Sequence, residues 1–181
     1  MTKSLYARVL GDRFDALPDA VRDLHDVTVP REWRGRADVR RAGGVLARLV
    51  GWSLGLPLAA NDVPVHLTFT PFEGGERWER HFGDHVIQSV QRDGRGPYSG
   101  LIDEVYGPVR LGLALVLEDD LMRIVPRHWA CLGVPMPSFL LPGGDTYERS
   151  EGARFFFHVE FVAPVVGWIA TYEGWLEAEN Q

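Results

Sequence analysis

The stretch "ERWERHFGDHVIQSV", Glu76 to Val90, decides how the chain is read. Laid out as extended backbone, whose side chains alternate between two faces, it puts Trp78, Arg80 and Phe82 on one side and Arg77, Glu79 and His81 on the other. "FGDH" in its middle has the composition of a turn or bulge within a hairpin. The same period of two recurs in "VPVHLTFTPF" before it and in "YSGLIDEVYG", "PVRLGLALVLEDD", "LMRIVPRHW" and "ARFFFHVEFVAP" after it, with "EGGE" and "EDDL" as further turns. Consecutive short strands with tight turns make an antiparallel sheet. No helical period follows, which excludes a parallel sheet and a β-α-β nucleotide-binding unit.

Upstream the texture is helical. Leu5, Tyr6, Val9 and Leu10 recur at helical spacing, and "LPDAVRDLHD" places Pro18 in a first turn ahead of Val21 and Leu24. "REWRGRADVRR" reads as a loop leading into an edge strand, blunted by its five arginines. The apolar run from Ala42 to Leu58 is shorter than the ~20 residues a membrane span needs. With Arg48 midway it reads as a buried or amphipathic helix. "GVPMPSFLLPGGD" carries three prolines and reads as a loop crossing one rim of the sheet. The expected fold is therefore mainly β (α+β): a strongly curved antiparallel sheet or half-barrel, similar in outline to lipoprotein-carrier half-barrels, with short N-terminal helices and one apolar covering helix. One domain over residues 1–181 is expected, helical to residue 58 and sheet from residue 59.

Composition narrows the function. A chain of 181 residues with 45% hydrophobic content has one substantial core to bury. Lys+Arg number 19 against 25 Asp+Glu, and a net charge of -6 argues against a general nucleic-acid binder. Cys131 stands alone, so neither an internal disulfide nor a thiolate metal cluster is available, and beside Trp129 and Leu132 it reads as buried and inert. "MTKSLYARVLGDRF" lacks the apolar run of a signal peptide, and a cytoplasmic location is the expectation.

Alternation predicts that Val65, Leu67, Phe69, Leu111, Leu113, Leu115, Phe155, Phe157 and Phe161 point inward. Arg80, between two aromatics, either pairs across the sheet with Glu104 or Glu160 or reads an anionic group on a ligand. The general rule that buried charges are paired favours the first. His158 and Glu160 share a face with Phe156, which is either solvated or the wall of a polar cavity where they would act as acid and base. With Glu104 they are the candidate catalytic residues; Trp78, Arg80, Phe82, His66 and Tyr106 are the candidate ligand contacts. His81 and His85 lack the helical setting that pairs two metal ligands, so no metal and no cofactor is expected.

In this order, "LPDAVRDLHD", "WRGRADVRR", "GLPLAANDVPVHLTF", "WERHFGDHVIQS", "YGPVRLGLAL", "VPMPSFLLP" and "PVVGWIATYEGWL" resemble a bacterial family, domain of unknown function 4166. The resemblance implies small-molecule or lipid metabolism, since such domains stand alone or are joined to reductase-like partners. It supplies no catalytic residues, but marks Trp78, Arg80, Phe82 and Gly83, and again Tyr172, Gly174 and Trp175, as motifs. The expected function is binding of an apolar or amphipathic small organic molecule or lipid in the sheet's concavity. Two alternatives stay open: a cofactor-independent isomerase or cyclase using the same pocket, and an interaction domain that docks a reductase-like partner through "GWIATYEGWLEAE".

Overall fold

A computed structural model describes residues 3–179. Three helices are present: α1 (Leu5–Leu10), α2 (Asp19–His25) and α3 (Val45–Ser53). The strands are β1 (Arg31–Arg41), β2 (Ala60–Phe72), β3 (Gly75–Phe82), β4 (His85–Asp93), β5 (Ile102–Tyr106), β6 (Val109–Glu118), β7 (Leu121–Cys131), the two-residue β8 (Val134–Pro135), β9 (Thr146–Glu151), β10 (Arg154–Ala163) and β11 (Gly167–Ala178). The hairpin predicted in Glu76–Val90 is β3 and β4, turning at residues 83–84.

The sheet closes on itself, which corrects the expected half-barrel. Strand order runs β6-β5-β4-β3-β2-β1-β11-β10-β9-β7, and β7 then pairs back onto β6. The result is a closed ten-stranded antiparallel barrel with β8 hanging from β7. Its seam is β1, read from sequence as an edge strand within a helical N-terminal part. It is central instead, paired with β2 on one side and β11 on the other. Trp33, Ala37 and Val39 alternate inward on it, while Arg34, Arg36 and Arg40 point out to Glu179, Asp62 and Glu173. Two glycines let these strands meet. A Cβ on Gly35 would collide with the Trp175 carbonyl, and one on Gly174 with the Arg36 carbonyl, so no larger residue fits at either place. This explains Gly174 of the C-terminal motif.

The inward set follows the predicted alternation. Val65, Leu67, Phe69, Leu113, Leu115 and Phe155 are buried, and Leu111, Phe157 and Phe161 pack half-buried against them. α1 and α2 plug one end of the barrel. Leu5, Tyr6, Leu10, Val21 and Leu24 are all within 4% of full burial there. α2 has no side-chain cap of its own; the Ser150 hydroxyl on β9 takes that role, accepting from the Ala20 and Val21 N–H groups at 2.9 and 3.3 Å.

α3 caps the opposite end in a different way. Of the two readings of the Ala42–Leu58 run, a buried helix or an amphipathic one, the buried helix is overturned, for only Ala47 and Gly51 of α3 are buried, while Val45, Leu46, Leu49 and Trp52 are exposed. The proline-rich stretch is a rim loop as predicted, with only the β8 bridge and a short 3₁₀ turn at Ser138–Leu140. Cys131 is half-buried rather than buried.

Candidate functional site

Alternation on β3, β4 and β5 sends a column of polar groups into the barrel among the apolar ones. Nearest the plug, the Tyr6 ring stacks on His25 with centroids 3.7 Å apart, and His25 Nε2 meets Glu148 Oε2 at 2.6 Å. The Trp78 indole N–H donates to Glu76 Oε1 at 2.9 Å, and both residues are buried. Among the described residues Glu76 Oε2 has no partner, nor does Gln91 Oε1, and the two residues sit opposite each other in the β3–β4 register. Burial pushes the Glu76 carboxyl above its ordinary 4.5, with the Trp78 hydrogen bond opposing. A proton on Oε2 turns one of these two unpaired acceptors into a donor. Burial likewise holds the Tyr6 hydroxyl far above its ordinary value, so it stays protonated.

Arg80 sits one step toward the other end. Its guanidinium lies 4.5 Å from the Trp78 ring centroid, donates to Ser89 Oγ at 2.9 Å, and pairs with Glu104 Oε1 at 3.3 Å. The cross-sheet partner is Glu104, while Glu160 accepts from the Asp145 N–H on the outer wall. Because the pair is largely buried, each charge depends on the other.

Under α3 the polar column ends in Tyr106, Tyr172 and Arg41. Three side chains hold the segment that follows α3 by four successive carbonyls. Tyr106 donates to Leu54 O, His85 Nε2 meets Gly55 O at 2.7 Å, and Arg41 Nη1 donates to Leu56 O and Pro57 O at 3.0 and 2.9 Å. Among the described residues Arg41 meets no carboxylate. The Tyr172 hydroxyl is buried and, among the described residues, has no hydrogen-bond partner. Burial, reinforced by Tyr106, keeps it well above its ordinary pKa, and burial pushes Tyr106 to about 12. Both are hydroxyl donors at neutral pH. Phe82 packs on Tyr172 at 5.5 Å and lines a cleft of about 320 Å³ that opens at this rim, together with Val39, Val63, Pro57, Leu58, Ala60, His85 and the one carboxylate among its lining residues, Asp84. A smaller cleft of about 150 Å³ lies between Tyr98, Trp129 and Met136 on the outer wall, away from these groups.

Of the predicted contacts, the structure thus brings together Trp78, Arg80, Phe82 and Tyr106, with Glu104. His66 is corrected: it alternates with buried Val65 and Leu67, so its ring stands on the outer wall, 3.2 Å from Glu32 and 5.9 Å from the His81 ring. There Glu32, His66 and Glu179 bring one donor atom each within 4.8 Å, although Arg34 already holds Glu179 at 2.9 Å. His158 and Glu160 are also outside. His158 stacks on Tyr147 at 5.1 Å and leans on Glu173, apart from any lumen group. Reasoning from sequence missed Tyr6, His25, Glu148 and Arg41 as lumen residues. Arg41 stood in the arginine cluster, and only its parity with Val39 signalled that it points in.

Fold and site together define a closed antiparallel barrel with one plugged end, one latched end and a polar column between them. The chain belongs to the family described as domain of unknown function (DUF4166), whose model matches residues 17–176. No curated protein and no solved structure matches it. No described helix is long and apolar enough to cross a membrane.

Proposed function

We propose that the α3 end of the barrel binds a small amphipathic molecule bearing an acidic head on an apolar body. The observation that carries this reading is the Tyr172 hydroxyl, a buried donor that finds no acceptor among the described residues. A buried hydroxyl left unpaired costs roughly 1 to 3 kcal/mol, a deficit that a bound acceptor removes. Arg41, two residues from the cleft wall at Val39 on the same face, supplies a cation that only carbonyls occupy. Apolar walls with few convergent polar groups are what small-molecule sites look like.

The probe is cis-parinaric acid, a fluorescent carboxylate on a hydrocarbon chain. The wild type should enhance its emission on binding, and Tyr172→Phe and Arg41→Gln should each weaken binding by about five- to tenfold without lowering the melting temperature. Absence of binding by the wild type, or full binding by both variants, refutes the assignment. A second reading, a cofactor-independent isomerase or cyclase in the same lumen, is supported by Glu76, a buried carboxyl that burial holds toward its protonated form and that is poised as a general acid. It requires that Glu76→Gln abolish turnover of a bound polyene or ketone while leaving cis-parinarate binding intact.

A further inference from the structure

Following the strands in order sorts their connections between the two ends of the barrel. At the α3 end lie residues 42–59, 83–84, 107–108, 132–145 and 164–166. At the plugged end lie 26–30, 73–74, 94–101, 119–120 and 152–153. Among the described residues, every exposed large apolar side chain except Val29 and Phe72 falls in a connection at the α3 end or within two residues of one. The tips are Leu49 and Trp52 on α3, Leu58 after it, Leu132 and Phe139 on the proline-rich loop, and Val165 at the β10–β11 turn. Val165 is 96% exposed and Trp52 79%.

The same five connections are nearly free of charge. They hold only Arg48, Asp84 and Asp145, and Asp145 is tied to Arg123 on β7. The remaining two cancel. At the plugged end, by contrast, Asp26, Glu73, Arg95, Asp119 and Asp120 mark the connections.

We infer that the α3 rim docks on the surface of a phospholipid bilayer. Three observations select that partner. The apolar tips come from three connections that follow one another in the strand order, β1–β2, β10–β11 and β7–β9, so they form a broad arc along the barrel mouth rather than a groove. An arc of this kind matches a broad, deformable surface and not a single helix or strand. Its charge is balanced, which suits a zwitterionic headgroup layer rather than a charged protein face. Trp52 and Arg48 on the one helix are the residue types that sit at a membrane interface, the indole amphipathic and the arginine able to bury its stem while its head stays wet. The depth is limited by the wall above the rim, where ion pairs such as Arg40–Glu173 and His81–Glu79 face outward, so the rim enters and the barrel does not.

The experiment is co-sedimentation with phosphatidylcholine vesicles at low and high salt. The wild type should partition onto the vesicles with little dependence on salt. Leu49→Glu and Phe139→Glu, on separate connections, should each lower the partition coefficient about tenfold, and Phe72→Glu at the plugged end should leave it unchanged. Brominated phosphatidylcholine should quench a tryptophan signal that is missing in Trp52→Phe, a readout independent of the glutamate variants' stability. A wild type that stays in the supernatant overturns the inference, as does equal loss in Phe72→Glu. So does light scattering that shows a dimer split by Leu49→Glu, since a second copy would then cover the rim. The vesicle assay needs no lumen ligand, so it fails or holds independently of cis-parinarate binding.

Discussion

The two ends of the barrel are closed by opposite means. At the plugged end α1 and α2 bury large side chains to near-zero exposure, and the Tyr6 and His25 rings reach into the lumen. At the other end α3 rests on Ala47 and Gly51, turns its large residues outward, and is held through backbone carbonyls by Tyr106, His85 and Arg41. Burial of apolar area is the main source of stability, whereas a rim hydrogen bond exchanges readily with water. The plug belongs to the core, and the latch is the end at which the proposed ligand would enter.

The largest effect that sharpens this contrast is at the plug. Tyr6→Ala should cost about 4 kcal/mol, as deletion of a fully buried ring does, read as a shift in the urea midpoint. A loss under about 1 kcal/mol would mean that α1 is only draped on the barrel. Between the ends, Arg80→Ala leaves Glu104 unpaired and should cost about 3 kcal/mol. If it left the midpoint in place and weakened cis-parinarate instead, Arg80 would belong with the latch.

Glu76 gives a smaller effect with a definite sign. Its carboxyl pKa is raised above 4.5 by burial, so the native state keeps a proton that the unfolded chain releases. Its contribution to stability is therefore full below pH 4.5 and declines as pH rises through the raised value. Glu76→Gln, neutral throughout, should match the wild type near pH 4 and exceed it by on the order of 1 kcal/mol at pH 8. A difference that does not change with pH removes Glu76 from the buried column. The smallest effect is at the lid, where Trp52→Ser should stay within about 0.5 kcal/mol of the wild type. A much larger drop would show that α3 is a second plug and would erase the contrast.

What could be read from sequence divides along the same physical lines. Within a strand, parity is local, so the faces of "ERWERHF", "IDEVY" and "ARFFFHVEF" were legible and carried Trp78, Arg80, Phe82, Glu104 and Tyr106 to the lumen. Closure is not local. It depends on Trp33 meeting Ala178 and on β7 meeting β9 across the proline-rich loop, and the outward arginines of β1 masked an inward Trp33, Ala37 and Val39. Because Tyr6, His25 and Glu148 come together only once the ring is shut, their juxtaposition had no signal in any one stretch. Naming His66 a ligand contact runs against the alternation of its own strand, which with Val65 and Leu67 inward leaves its ring on the outer face. α3 went astray because hydrophobic content says that a segment avoids water without saying which neighbour it turns to; its buried residues are its smallest.

The seam between β1 and β11 also fixes an order of events during synthesis. β1 leaves the ribosome well before β11, and Val39 cannot pair with Tyr172 until all the strands between them have followed. Until then β1 can join β2 in an open sheet whose free edge carries the Trp33–Val39 face, and such edges invite the wrong neighbours. Contacts so distant along the chain slow folding, because the ends must be brought together before any contact rewards them. The ring is thus a late, all-at-once event. Once it has shut, the barrel has no unpaired edge along its seam, and the segment most exposed to mispairing in the nascent chain becomes the best protected in the finished one.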